Sequence, residues 1–326
     1  MILITKKYIK LATVITVLLM CLVRVNAQHN KAPCSHSQHH KTSSSEIEQT
    51  QFNNDAKEVN FELQNVRLVS SGEEFSMPVW SPDDNKLLIA TAHGTKLKMI
   101  ELDASNRITE ISNARGSGYN ASWSLDGNQV FFRYKESGQQ TYVESKSFDL
   151  GNGKIKNAKL NPNGLRSASK AVKNDDPAIF VNLENLKVEA QTKDKTASWE
   201  ITDFDGQFYH PLLSPDKKQV IVHEKSDMYL YATDGSGLIK HLGTGIASSW
   251  SPDGKYVLAF LDSSIDGHVI SGSELYLIDI ELGKLVQFTN TDKVNEMWPA
   301  WSNDGSKIAF EDERSGNILI ADMVKK

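Results

Sequence analysis

Cysteine is scarce. The 326 residues hold only Cys21 and Cys34, too few for a disulfide-dense scaffold. An excess of basic charge is also lacking: 36 Lys and Arg stand against 41 Asp and Glu, a formal net charge of −5. That balance offers no basic patch or stripe for nucleic acid. The apolar run from Leu11 to Val23 is 13 residues, against the roughly 20 needed to span a bilayer as a helix. Beyond it helical periodicity is missing, which excludes a parallel α/β arrangement. The chain contains no G-x-S-x-G nucleophile elbow, no H-E-x-x-H zinc motif and no glycine-rich phosphate loop. What is present is an ordinary globular composition, 39% hydrophobic and 24% charged, with 27 aromatic residues to build a core.

The first residues read as an address. Lys6, Lys7 and Lys10 precede the apolar run, and Val25-Asn26-Ala27 places small residues at −3 and −1 of a cut before Gln28. This is the pattern of a cleaved secretory signal over residues 1–27. Removal of Lys6, Lys7, Lys10 and Arg24, with no acid, leaves 32 basic and 41 acidic residues, a net charge of −9. Cys21 leaves with the signal, so the mature chain keeps Cys34 alone and is held by its core. An exported protein, periplasmic or extracellular, is expected. The acidic balance argues against simple adhesion to an anionic membrane.

Residues 28–58 have a different composition, with Ile47 and Phe52 as their only large apolar side chains. Such a segment cannot offset its ordering entropy by burial, and a disordered linker is expected. It carries His29, His36, His39 and His40 beside Cys34. Imidazole and thiolate suit soft metals, so His36, His39 and His40 are weak metal candidates. The spacing matches no regular metal motif, and no cofactor is expected beyond a weakly held divalent ion.

From Val59 the chain repeats. Five segments share one anchor: Trp80-Ser81-Pro82-Asp83-Asp84, Trp123-Ser124-Leu125-Asp126-Gly127, Leu213-Ser214-Pro215-Asp216-Lys217, Trp250-Ser251-Pro252-Asp253-Gly254 and Trp301-Ser302-Asn303-Asp304-Gly305. Each is followed by a short apolar run, and further short strands follow across polar loops. The separations are 43, 90, 37 and 51 residues; the 90 is two periods, so a sixth unit is expected between Leu165 and Trp199. A period of 40 to 45 residues is the length of a four-stranded propeller blade. Pro, Asp and Gly supply the fixed and the positive φ of a tight turn, so the recurring aspartates belong to turns and not to catalysis. The tryptophans are expected between neighbouring blades. The segment Asn65 to Val69 supplies the outer strand that the last unit lacks, closing an all-β, six-bladed propeller of four-stranded antiparallel blades over residues 59–326.

Trp250-Ser251-Pro252-Asp253-Gly254 with Leu275-Tyr276-Leu277-Ile278-Asp279 resembles the WD-like repeat of the TolB-type six-bladed β-propellers. The units at Trp80, Trp123 and Trp301 match with small changes. The resemblance covers roughly residues 60–326 and implies the fold. It does not extend to the α/β domain of TolB itself, for which residues 28–58 leave no room. Related propellers include prolyl-oligopeptidase-type enzymes, whose hydrolase domain has no counterpart here, and metal-dependent oligogalacturonate lyases.

In a meander of four strands, the loop entering the innermost strand and the loop between the second and third strands share one face. This brings Phe75, Tyr119, Asn120, Tyr209, His210, Glu296 and Trp298 to one channel mouth, a mixture suited to a peptide or glycan. The expected function is a non-catalytic exported monomer that binds a protein, peptide, glycan or other envelope partner at this face. The alternative is a metal-dependent lyase acting on carbohydrate, for which three of His93, His210, His223 and His268 must converge on one ion. A third reading makes the His-rich segment a metal-capturing tail on a docking module.

Overall fold

The computed structural model describes residues 60–91, 94–119, 121–134, 144–158, 177–192, 194–264 and 269–326. The expected signal, the His-rich segment, Asn120, His93 and His268 lie outside these residues. All regular elements of the described part are strands, arranged in six sheets.

β1 (Phe61–Leu68) comes first. The first sheet holds β2 (Phe75–Trp80), β3 (Lys86–Thr91), β4 (Leu97–Glu101) and β5 (Ile108–Ser112). The second holds β6 (Ser122–Trp123), β7 (Gln129–Tyr134), β8 (Glu144–Asp149) and β9 (Ile155–Ala158). In the third are β10 (Ala178–Val181), β11 (Val188–Gln191) and β12 (Ser198–Glu200). The fourth comprises β13 (Phe208–Leu213), β14 (Gln219–Glu224), β15 (Asp227–Ala232) and β16 (Leu238–Thr244). The fifth comprises β17 (Ile246–Trp250), β18 (Tyr256–Ser264), β19 (Ile270–Asp279) and β20 (Lys284–Gln287). The sixth contains β21 (Glu296–Trp301), β22 (Lys307–Asp312) and β23 (Asn317–Lys325), with β1 antiparallel on β23 as its outer strand. The result is a six-bladed β-propeller of antiparallel sheets. The unit expected between Leu165 and Trp199 is the third sheet, which has three strands among the described residues.

The second strand of each unit explains the continuous apolar runs. Leu87, Leu88, Ile89 and Ala90 of β3 are all buried, as are Val220, Ile221, Val222 and His223 of β14. A strand packed on both faces has no polar alternation. The core lies between the sheets. One buried cluster joins Val79, Leu88 and Met99 to Trp123, Val130 and Phe132; another joins Trp80, Ile89 and Ile100 to Ala309, Ile318 and Ile320. Each fully buried Leu, Ile or Phe of this kind is worth about 1.5–3 kcal/mol.

The anchor tryptophans stitch neighbouring blades by hydrogen bonds. Trp123 Nε1 donates to Val79 O at 3.2 Å, Trp250 Nε1 to Leu212 O at 3.1 Å, and Trp80 Nε1 to Ala300 O at 2.9 Å. In every case the acceptor is the residue just before the anchor of another sheet, and the bond from Trp80 joins the first sheet to the last. Trp301 differs: its backbone N–H donates to Ser249 Oγ, and its indole turns to Gly305 O in its own turn.

The recurring Ser and Asp make the turns. Ser124 Oγ donates to Asp126 Oδ1 at 2.6 Å, Asp126 accepts the Asn128 N–H, and the Gln129 N–H donates back to Ser124 Oγ. The same set recurs at Ser81 and Asp83, Ser214 and Asp216, Ser251 and Asp253, and Ser302 and Asp304. The Ser124 hydroxyl and the Asn128 backbone hold the Asp126 carboxyl below its ordinary value, as befits a carboxylate fixed as an acceptor. The last turn residue is left-handed: Gly127, Gly254 and Gly305 have φ of 70°, 72° and 77°, and Asp84 and Lys217 occupy the same position at 56° and 65°.

Candidate functional site

Three inner strands break register at a residue–proline pair near the mouth end of the channel, and β17 breaks register at Ser248. The pairing of β2 with β3 shifts register between Ser76 and Val79, that of β13 with β14 between Tyr209 and Leu212, and that of β21 with β22 between Met297 and Ala300. The skipped residues are Met77-Pro78, His210-Pro211 and Trp298-Pro299. Proline has no N–H for the ladder, so a bulge forms there. The residue before each proline is left-handed, with φ of 56° at Met77, 49° at His210 and 49° at Trp298. Large residues rarely adopt that conformation, and residues ahead of proline normally stay extended. Strain of this kind persists where the surrounding structure over-determines it, and it clusters at functional sites. The freed N–H of Met77 is bound across the seam of the ring, donating to Glu311 Oε2 on β22 at 3.0 Å.

The bulges bring rings from different sheets into contact. His210 meets Trp298 edge-on with centroids 5.9 Å apart, and Trp298 packs on Phe260 of β18 at 5.0 Å. His210 also approaches His223 at 5.3 Å, and Tyr209 covers the other side of His223 at 5.3 Å. Beside them lies a small cavity. It is lined by Met77, Trp80, Ser249, Trp250, Trp298 and Trp301 and measures about 30 Å³, room for ordered water. A larger space of about 240 Å³ opens on the opposite face between the turns at Pro215 and Pro252. Its Ser214, Asp216 and Asp253 are already engaged within those turns.

His223 is a structural group. It is fully buried, its Nδ1 lies 3.2 Å from His210 O, and its Nε2 accepts the Ala247 N–H at 3.0 Å. An acceptor role for Nε2 puts the proton on Nδ1, which donates to His210 O. Burial pushes its pKa down to about 4 against the opposing pull of the His210 and Tyr209 carbonyls, and the ring is neutral. Both nitrogens are engaged, so His223 has none left for a metal. Among the described residues no three His, Cys, Asp or Glu side chains form a group that fits a metal ion.

The other residues expected at the mouth have varied roles. Phe75 is buried in the core between the first and sixth sheets, with Lys98 Nζ 5.7 Å from its ring centre. Tyr119 covers Gly94, where an added methyl would come within 2.6 Å of the ring. Tyr209 is tied by its hydroxyl to Lys225 O. Glu296 is fully buried below the surface. His210 and Trp298 are the pair that the fold brings together at the rim. Met77 and Phe260 complete that group and were not singled out from sequence. The signal for Met77 was a residue–proline pair two positions ahead of an anchor's own preceding residue, present in the first, fourth and last units.

No protein-family model matches the chain, and no curated protein sequence does. Solved structures match by shape. The putative TolB of Agrobacterium tumefaciens is 18% identical with a TM-score of 0.50, over 80% of this chain and 93% of that one. The β-propeller domain of Cps50 from Myceliophteria thermophila is 14% identical with a TM-score of 0.50, over 78% and 98%. An oligogalacturonate lyase from Vibrio parahaemolyticus is 10% identical with a TM-score of 0.49, over 84% and 96%. At these identities the likeness is one of fold, a six-bladed β-propeller with a TolB structure among those it resembles.

Proposed function

We propose that the protein is a non-catalytic binding propeller whose mouth face takes a peptide or protein chain. The observation that carries this reading is the strained trio Met77, His210 and Trp298, held left-handed ahead of proline on three separate inner strands. Backbone strain repeated on three inner strands at one rim is what a preorganised contact surface requires. Trp298 supplies an aromatic anchor and Met77 an adaptable apolar contact, with the His210 ring packed edge-on against Trp298. The lyase alternative draws on four histidines, and His223 is withdrawn from that set by its two backbone hydrogen bonds.

The same reading makes residues 1–27 a signal, residues 28–58 a linker and the mature protein an exported monomer. Metal capture by His36, His39 and His40 is incidental to it.

The test is selection of a random peptide library on the full-length mature protein, with Trp298→Ala as the comparison. Peptides enriched on the wild type and lost on the variant are expected. Equal retention by both proteins contradicts the reading, and manganese-dependent cleavage of oligogalacturonate supports the alternative.

A further inference from the structure

Two carboxyl groups near the mouth each have one oxygen without a donor. Glu296, the first residue of β21, is fully buried and its Oε2 has no hydrogen-bond partner. Glu274, on β19 of the preceding sheet, is half-buried, and its Oε2 is likewise enclosed without a partner. The two groups are bridged by Thr291, and the Glu274 charge acts on Glu296. A buried carboxylate is costly unless paired, and two side by side repel. The charges acting most on them are acidic: Glu274 and Asp312 on Glu296, and Asp292 on Glu274.

The remaining oxygens converge on Thr291. Its backbone N–H donates to Glu274 Oε1 at 2.8 Å. Its hydroxyl lies 2.9 Å from Glu296 Oε1 and 3.0 Å from Val294 O. A hydroxyl carries one hydrogen, so with Glu296 ionised one of these two acceptors goes unserved. A proton on Glu296 resolves that conflict when turned to Thr291, and fills the gap at Oε2 when turned to Glu274. Burial, with the Glu274 charge next, raises the Glu296 carboxyl well above the usual carboxylate range; burial raises Glu274 too.

We propose that Glu274 and Glu296 hold one proton between them, and that this proton pins the loop 289–295 and the start of β21, so that its loss loosens one wall of the channel mouth.

The neighbouring ionisable groups do not take over this task. On β22, Asp312 accepts from the backbones of Asn295 and Arg314, and Glu311 accepts from Met77. Beyond it, Glu313 accepts from Asn295 Nδ2, and the Arg314 guanidinium is turned to the carbonyls of Asp292 and Lys293. Asp292 and Lys293 are exposed in the loop, and Asp262 of β18 is exposed on the hairpin that packs against β21. The inference is independent of what the mouth binds.

Infrared difference spectroscopy on the full-length protein tests it first. The wild type at neutral pH is expected to show the C=O band of a protonated carboxylic acid, and Glu296→Gln to lack it. Hydrogen exchange tests the consequence. After correction for intrinsic rates, protection of the amides in 289–295 is expected to fall about tenfold or more between pH ~6 and pH ~9 in the wild type, tenfold being one pH unit of titration. It should stay level in Glu296→Gln, whose neutral amide stands in for the acid. Glu274→Gln, at the more exposed member, provides the same comparison if the first variant fails to fold. An absent acid band, or superimposable pH profiles for wild type and variants, would overturn the proposal.

Discussion

Asn303 and Asp84 are bonded to one another across the seam of the ring. The Asn303 N–H and Nδ2 both donate to Asp84 Oδ1, at 2.8 and 2.7 Å, and the Asp304 N–H donates to Asp84 Oδ2 at 2.9 Å. These two residues depart from the repeat pattern at the proline position of the last unit and the glycine position of the first. Elsewhere proline and glycine meet across neighbouring turns. A methyl built on Gly127 would lie 3.6 Å from Pro82, one on Gly254 3.8 Å from Pro215, and one on Gly305 3.7 Å from Pro252. Where the last sheet meets the first, a charge-assisted clasp replaces the apolar contact. Such bonds are stronger than neutral ones, and they draw together the two ends of the chain.

The clasp predicts a coupled pair of substitutions. Asn303→Pro and Asp84→Gly should each destabilise the protein, while the double variant restores the proline–glycine contact found at the other turns. A coupling of about 1–2 kcal/mol is expected from a double-mutant cycle in urea. Additivity within about 0.5 kcal/mol would show that the two positions act separately.

The indole bonds make a second prediction. Trp250→Phe keeps most of the apolar contact but deprives Leu212 O of its donor inside a buried cluster. A loss of about 1–3 kcal/mol is expected, the cost of leaving a buried acceptor unserved. A loss below about 0.5 kcal/mol by denaturant midpoint would mean that the bond contributes little to blade association.

Lys217 occupies the left-handed turn position that glycine takes in three other units, with φ of 65°. Lys217→Gly should stabilise by up to about 1 kcal/mol, the relief of left-handed strain exceeding the extra entropy of the unfolded glycine. A lower midpoint in urea would contradict this.

His223 gives a pH dependence with a definite sign. Its folded pKa of about 4 lies below the ordinary 6.5, so the unfolded chain binds the proton more readily. The stability that the neutral ring contributes is complete above about pH 6.5 and is lost as pH falls toward 4, by about 3 kcal/mol in all. Proton NMR should show a His223 ring signal that does not titrate between pH ~5 and ~7.5. A midpoint near 6.5 would place the ring in water.

The ring of six units was legible because its cause is local. Ser81, Asp83 and their equivalents make turns from residues two to five positions apart, and the recurring anchor gave the period directly. The third unit lacks that anchor, yet Ala178–Val181, Val188–Gln191 and Ser198–Glu200 still read as strands between turns. The mouth was legible only in part. The residue before a proline is expected to be extended, so Met77, His210 and Trp298 gave no sign of turning left-handed; that conformation is imposed by the neighbouring sheets. Glu296 read as a rim residue because its loop ends there, whereas Ile270, Val294 and Met297 enclose that corner within the core. Its partner Glu274 is 22 residues away on another sheet, a proximity that the packing of the fifth sheet on the sixth creates.

The mouth, and no other face, is the binding surface that we propose. An NMR titration of the labelled protein with a library-selected peptide tests it most directly. Shifts are expected at the Trp298 indole N–H, the Met77 methyl and the His210 amide, with the turns at Asp216 and Asp253 unmoved. Shifts confined to those turns, or none at Trp298 under saturation, would contradict it.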